Sequence, residues 1–533
     1  MFPDEELTAK TAERGSVLRG ERYHLQLAYR LDEGLRDRLR IELISPLSAH
    51  ITVYRVCCVP VLLTGYPWSD DNYLRRTPGL YPDLLLPARE EIPAVPGQWA
   101  SLWLEADIPQ DMAAGVCPIE IRLIHTQHGD CRASARFLLD IVPACLPAQT
   151  LLHTEWFYPD QLAQRYRVPV FSEEHWAIMD RYLANYAAYG GTMLLTPIFT
   201  PPLDTAIGAE RETVQLVDVT AAAGGWQFGF SRLLRYIRMA QAHGIRMFEF
   251  SHLFTQWGAA AAPKVVDTGG RRLFGWDTCS TGEAYIGFLT AFIPALRAFM
   301  DGQGLAGQYV FHISDEPQPE HLEQYAEVHR LTAPLLSGCR TIDALSDLEF
   351  YENGLIQTPV PSNDRAEQFY ERGVKERWTY YCCGQVDRVS NRMIAMPAAR
   401  ERIIGMQMFR HRVDGFLHWG YNFWSAQLSR YPIDPFLCTD ADGAFPAGDP
   451  FLVYPGADGA PLSSLRQHVF LDALQDMRAL ALLAELTSFD EAAACIEHFC
   501  TEPLTFTAYP HDADTLLQMR EAVNARIRAA VGG

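Results

Sequence analysis

Two regimes of hydrophobic patterning divide this chain near residue 148. Before that point apolar and polar positions alternate in short runs, as in Arg38-Leu39-Arg40-Ile41-Glu42-Leu43-Ile44 and Trp99-Ala100-Ser101-Leu102-Trp103-Leu104-Glu105. A period of two sends successive side chains to opposite faces, the pattern of a half-buried strand. Turn residues punctuate the runs at Val95-Pro96-Gly97, Ile108-Pro109-Gln110-Asp111 and Ala114-Gly115, and Pro82-Asp83 and Pro87 mark a further loop. Several short strands at this spacing predict a β-sandwich over residues 1–148, with Cys145-Leu146-Pro147-Ala148 as the link to the second regime.

Beyond the link, short β-rich runs alternate with longer helical stretches, the mark of βα units around a parallel sheet. Eight runs predict strands: Leu151–Phe157, Thr192–Pro197, Arg246–His252, Gln308–Ser314, Arg340–Ala344, Gly354–Val360, Trp378–Cys383 and Gly415–Gly420. Helical periodicity fills intervals such as Glu173–Tyr189, Phe230–His243, Ala284–Asp301 and Pro319–Leu336, and His243-Gly244 supplies a glycine stop before a strand. This order predicts a multidomain chain in which the sandwich precedes a (β/α)₈ TIM-type barrel over residues 149–464. A C-terminal helical segment over 465–533 is expected to pack on the barrel, with helices at Leu465–Leu486 and from about Asp514 to Ala530. The loops after strands two and three are long, and such loops build pockets. The stretch Tyr421–Ser464 is Gly/Pro-rich and irregular.

Composition narrows the function. The 533 residues are 48% hydrophobic and 21% charged, enough to bury large cores. A net charge of -20, with no basic run, argues against nucleic acid and anionic membrane surfaces as partners. Met1-Phe2-Pro3-Asp4-Glu5-Glu6 lacks the basic-then-apolar signature of a signal peptide, and no run of 18 apolar residues is present, so a cytoplasmic location is expected. The 12 cysteines show no repeated C-x-x-C, and the doublets Cys57-Cys58 and Cys382-Cys383 read as reduced thiols. No cofactor and no metal site are expected. His153, Glu249 and His252 are the one grouping that the strand ends could assemble into a metal cluster, without helical H-x-x-x-H spacing to support it. Oligomeric state is not legible.

The chemistry concentrates at Tyr309-Val310-Phe311-His312-Ile313-Ser314-Asp315-Glu316-Pro317. An apolar strand ends there on two adjacent carboxylates, at the position where barrels keep their catalytic groups. Two carboxylates with separated pKa values are the working parts of a glycosidase, which makes Asp315 and Glu316 the catalytic candidates. A sugar pocket also needs aromatic faces and polar groups. The strand ends and their loops offer His153, Trp156, Glu249, His252, Trp257, Trp276, His312, Tyr380, Tyr381, Trp419, Asn422 and Trp424 as candidate carbohydrate-binding residues. Glu249 lies within a strand and reads either as a catalytic competitor or as one half of a buried salt bridge.

The Phe311–Pro317 segment, the Trp378-Thr379-Tyr380-Tyr381-Cys382-Cys383-Gly384 strand and the His418-Trp419-Gly420-Tyr421-Asn422-Phe423-Trp424 segment together resemble the domain of unknown function numbered 4091, the catalytic part of glycoside hydrolase family 123. The features at Val95–Trp99 and Ile108–Gly115, and the helix from Ser464-Leu465-Arg466 to Gln475-Asp476, are similar to those flanking that domain. The resemblance implies a retaining β-N-acetylgalactosaminidase using substrate-assisted catalysis. Glu316 would be the general acid and then base, and Asp315 would hold the substrate's 2-acetamido N–H. Tyr380 or Tyr381 would bind the acetamido oxygen, and Trp419 or Trp424 would wall the sugar. Two alternatives stay open: a glycosidase of another sugar, and a carbohydrate-binding protein without catalysis.

Overall fold

The computed structural model describes residues 1–7, 11–32, 37–89 and 91–532. The N-terminal region forms two sheets. One has five strands in the order Arg14–Arg19, Cys131–Cys145, Gly115–His125, Asp37–Ile44 and Ile92–Ala94. The other has four: Arg22–Arg30, Trp99–Asp107, Ile51–Val61 and Gly79–Pro87. The alternation seen in the sequence sets the inner faces. Leu102 and Leu104 from one sheet share an apolar core with Ile119, Ile121, Leu123, Leu139 and Ile141 from the other.

All eight strands expected after the link are present, each shorter than its apolar run. Six form one parallel sheet in the order Tyr309–Phe311, Met247–Phe250, Met193–Thr196, Leu152–Glu155, Gly415–His418 and Trp378–Tyr380. Ile342–Ala344 and Thr358–Val360 form a separate parallel pair. Isolated parallel bridges, Phe311 to Thr341 and Ser362 to Tyr380, join that pair to the two edges of the six-stranded sheet. Side chains from both sheets meet in one core, among them Met193, Leu195, Met247, Val310, Ile342, Val360, Trp378 and Leu417.

The strand predicted over Gln308–Ser314 pairs only at Tyr309–Phe311. The reason is local: the amides of Ile313 and Ser314 donate to the Asp343 carboxylate, at 2.9 and 3.4 Å, instead of to a neighbouring strand.

The helices follow their caps. Ser172 accepts from the His175 amide, Ser464 from Gln467 and Asp512 from Thr515, opening Glu173–Ala188, Leu465–Leu486 and Ala513–Ala530. Gly244, with φ +89°, stops Ser231–Ala242 as expected. Helices Pro159–Tyr166 and Phe489–Glu497 and two hairpins inside the long loops (218–229 and 265–274) are further elements. The helix Ile404–Arg410 touches Leu465–Leu486 so closely that a Cβ on Gly405 would lie 1.9 Å from the Ala473 carbonyl oxygen. The C-terminal helices pack on the 398–410 helices and also on Leu18 and Val142 of the five-stranded sheet. Among the described residues one helix, Glu283–Gly302, is long and apolar enough to cross a membrane, and its Phe288, Phe292 and Leu296 are buried in the main core.

Candidate active site

The loop that follows Tyr309–Phe311 carries Asp315 and Glu316 into a pocket at the C-terminal ends of the parallel strands. The Glu316 amide donates to the Ala344 carbonyl at 2.9 Å, and the Trp257 amide to the Asp315 carbonyl at 2.8 Å. Backbone bonds from one neighbouring strand end and one neighbouring loop therefore fix the pair. Glu316 has φ +41°, and the pocket residues Asp204 and Trp257 share the left-handed region at +38° and +58°. Non-glycine residues hold such conformations only under constraint from their surroundings.

Tyr380 donates its hydroxyl to Glu316 Oε1 at 2.6 Å. Trp156, Tyr158, Trp257, Trp419 and Phe445 supply the aromatic walls, and Asp204 and Gln256 add polar groups. Trp419 is oriented by its indole N–H, which donates to Asp449 Oδ2 at 2.9 Å. Cys382 and Cys383 join the lining as free thiols, with Leu203, Ala344 and Leu417.

Burial pushes both carboxyls up. Asp315 stands well above the ordinary carboxylate range, through burial and then the adjacent Glu316 charge. Glu316 is also raised, by burial first, with Asp449 adding to the shift and the Tyr380 hydrogen bond opposing it. The adjacent Glu316 charge disfavours ionisation of Asp315, so the two carboxyls titrate together. Burial likewise lifts Asp204 to about 6.

Behind Trp156 runs a buried charge relay. Glu249 accepts from Trp156 Nε1 at 2.8 Å, Thr154 Oγ1 at 2.6 Å and His312 Nε2 at 2.5 Å. His312 Nδ1 reaches Asp343 Oδ1 at 3.1 Å, and Asp343 also accepts from the Tyr325 hydroxyl. Burial alone would lower His312, but the Asp343 and Glu249 carboxylates outweigh it and hold the ring at about 9. Glu249 thus has the salt-bridge geometry, and Asp343 ties the relay to the chain just before Asp315. His252 stacks on His312 with ring centroids 4.3 Å apart.

Of the residues nominated from sequence, Asp315, Glu316, Trp156, Trp257, Tyr380 and Trp419 line the pocket together. Glu249, His252 and His312 form the layer behind. The other five lie outside the lining. His153 bridges the Gly190 carbonyl and Glu155, whose carboxylate is gripped by Arg392 at 2.6 and 2.9 Å. Trp276 donates to the Ala209 carbonyl, and Trp424 to that of Val453. Asn422 brackets Tyr158, accepting from its amide and donating to its carbonyl. Tyr381 is fully buried against Phe416 and His418. The grouping of His153, Glu249 and His252 is not assembled either; the His/Cys/Asp/Glu groups close enough to share an ion, among the described residues, are different ones.

Sequence reasoning missed Tyr158, Asp204 and Phe445 at the pocket, and Asp449 and Asp343 behind it. The one local signal for Asp449 is the Gly448-Asp449-Pro450 turn inside the irregular stretch after the last strand.

The glycoside hydrolase 123 catalytic domain matches residues 156–483. A family 123 glycoside hydrolase from Clostridium perfringens, described in terms of glycolipid glycan hydrolysis, superposes with a TM-score of 0.74 at 14% identity, covering 98% of this chain and 93% of that one. A Ruminococcus gnavus β-glucuronidase in complex with uronic isofagomine gives a TM-score of 0.34 at 9% identity over 86% of this chain and 88% of that one. No curated protein matches the chain. With the family domain spanning most of the chain and the carboxylate pair seated in an aromatic pocket, the chain belongs to glycoside hydrolase family 123 and is a glycosidase acting on carbohydrate.

Proposed function

We propose that this glycosidase releases terminal β-linked 2-acetamido sugars, preferring GalNAc, with retention of anomeric configuration and with the substrate's own acetamido group as nucleophile. The supporting observation is the adjacent Asp315-Glu316 pair in one aromatic pocket, with Tyr380 on Glu316. No second carboxylate at the separation of an enzyme nucleophile is then needed. Glu316 gives its proton to the glycosidic oxygen as the acetamido carbonyl oxygen attacks C1 and the C1–O bond breaks. Asp315 accepts a hydrogen bond from the acetamido N–H and stabilises the positive oxazolinium. Glu316 then takes a proton from the water that opens the ring at C1, and is reprotonated for the next cycle.

In the free pocket burial raises both carboxyls. An acetamido N–H arriving at Asp315 favours its anion, and that adjacent negative charge keeps the proton on Glu316 when the glycosidic oxygen needs it. The bridges at Phe311–Thr341 and Ser362–Tyr380 suit a closed (β/α)₈ barrel, preceded by a β-sandwich and followed by a helical segment. The relative's glycolipid glycans make a glycolipid or oligosaccharide non-reducing end the substrate class to try first.

Nitrophenyl β-GalNAc, β-GlcNAc and β-galactoside separate the readings, run with wild type, Asp315→Asn and Glu316→Gln. The expected outcome is cleavage of the acetamido sugars only, lost by orders of magnitude in Asp315→Asn. Glu316→Gln should retain far more activity on the activated nitrophenyl leaving group than on a natural sugar linkage. Equal cleavage of the galactoside, or full activity in Asp315→Asn, would overturn the substrate-assisted scheme.

A further inference from the structure

Away from the pocket, where the four-stranded sheet meets the helix Leu465–Leu486, three ligand-type side chains converge. His24 lies on Arg22–Arg30, Glu105 on Trp99–Asp107 and His468 on the helix. His24 Nε2 is 3.2 Å from His468 Nδ1 and 3.2 Å from Glu105 Oε2, and His468 Nδ1 is 3.3 Å from that same oxygen. The three atoms form a nearly equilateral triangle. The outer nitrogens are held as well: His24 Nδ1 faces Asp472 Oδ1 at 2.8 Å, and His468 Nε2 faces the Tyr189 hydroxyl at 2.9 Å. That hydroxyl also donates to Glu105 Oε2 at 3.1 Å, and Trp103 Nε1 donates to His468 Nδ1 at 3.2 Å.

A neutral imidazole that donates one N–H outward presents a lone pair on its other nitrogen. If both rings donate outward, to Asp472 and to Tyr189, three lone-pair atoms face one another inside the triangle. The Trp103 N–H and the Tyr189 O–H reach His468 Nδ1 and Glu105 Oε2 from outside the triangle, and a cation at its centre would draw on all three atoms together. One proton bridges one edge at a time, whereas a divalent ion serves all three corners. Bonds of about 2.0–2.1 Å to a tetrahedral zinc place ligand atoms about 3.3–3.4 Å apart, against about 3.0 Å around an octahedral ion. The observed edges lie nearer the tetrahedral value. A carboxylate on the outer N–H of a ligating histidine is also the usual second layer of such sites, and Asp472 occupies that place.

We propose that His24, Glu105 and His468 form a structural site for a divalent, zinc-like transition metal with tetrahedral preference, its fourth position taken by water. The ion would clamp two strands of the N-terminal sheet to the long helix and to Tyr189, just past the end of Glu173–Ala188.

The full-length, untagged chain is freed of metal by chelator and titrated with zinc and with cobalt, whose tetrahedral complexes absorb strongly in the visible. Binding of one equivalent, a cobalt spectrum of tetrahedral type and a higher melting temperature on zinc addition are expected. Glu105→Gln, which keeps the side chain's size, should weaken zinc at least tenfold, and His468→Ala should abolish the cobalt spectrum. If the stripped chain takes up neither ion at equimolar concentration, the triangle is proton-bridged and the proposal falls. Binding that Glu105→Gln leaves unchanged would place the ion elsewhere, on the free thiols for example, and would equally overturn it.

Discussion

Glu316 combines a left-handed backbone, burial and one short hydrogen bond, and each constrains what its carboxyl does. The Tyr380 hydroxyl donates to the carboxylate and so favours its ionised form, working against burial. In Tyr380→Phe that counterweight is gone and the acid's pKa rises further. The alkaline limb of the kcat/KM profile, where the general acid loses its proton, should therefore move to higher pH; an unmoved limb would separate Tyr380 from the acid. Trp419 offers a second test, because its ring faces the pocket while Asp449 fixes its edge. Trp419→Ala should weaken a competitive sugar-analogue inhibitor by about 1–3 kcal/mol, a usual loss for one aromatic wall. Unchanged inhibition would assign the ring to packing. The carboxylate pair was legible because strand, acids and proline are contiguous. Asp204 and Asp449 were not, since one lines the pocket and the other holds Trp419 from loops more than 100 residues away on either side of the pair, where no periodicity marks them.

The strand that delivers the pair is short because its last residues bond to a neighbouring side chain instead of a neighbouring backbone. Asp343 receives the Ile313 and Ser314 amides and is itself held by His312, so one imidazole supports the whole approach to the site. His312 sits at about 9 in the folded chain, against about 6.5 for a free histidine. A raised folded pKa contributes stability that is complete below about pH 6.5 and lost as pH rises through about 9. The full contribution is on the order of 3 kcal/mol, from about 2.5 pH units at 1.36 kcal/mol each. Denaturant unfolding at pH 6 and pH 9.5 should show that loss in wild type, and His312→Gln should reduce it. A wild-type curve that is flat between those values would remove the imidazolium from the relay. Element existence was legible from periodicity throughout the parallel sheet. Strand ends were not, because an apolar run continues past the point where side-chain acceptors replace the ladder. The hairpins over 218–229 and 265–274 escaped notice for the opposite reason: both lie mostly on the surface and carry weak alternation.

Across the whole molecule the N-terminal sheets, the parallel-sheet region and the C-terminal helices are joined by buried charge as well as by apolar packing. Arg520, on Ala513–Ala530, contacts Glu21 beside the first strands and donates to Asp476 on Leu465–Leu486 at 2.8 Å. Asp476 in turn accepts from Arg402 at 2.7 Å, on the helix Ala398–Arg402. Four segments from three regions thus share one network, and Glu21, Asp476 and Arg520 are almost wholly withdrawn from solvent. Removing a buried cation leaves its carboxylates unpaired, which typically costs about 3–5 kcal/mol, whereas a part-exposed pair such as Arg528–Asp140 is worth at most about 1 kcal/mol. Arg520→Met, which keeps much of the side chain's bulk, should therefore lower unfolding free energy by the larger amount, and Arg528→Met by the smaller. If the network makes the regions one cooperative unit, tryptophan fluorescence and circular dichroism should report a single coincident transition in wild type. In Arg520→Met the C-terminal helix should melt first and split the two signals. An Arg520→Met variant as stable as wild type would mean that the apolar cluster around Leu516, Met519 and Val523 carries the docking alone.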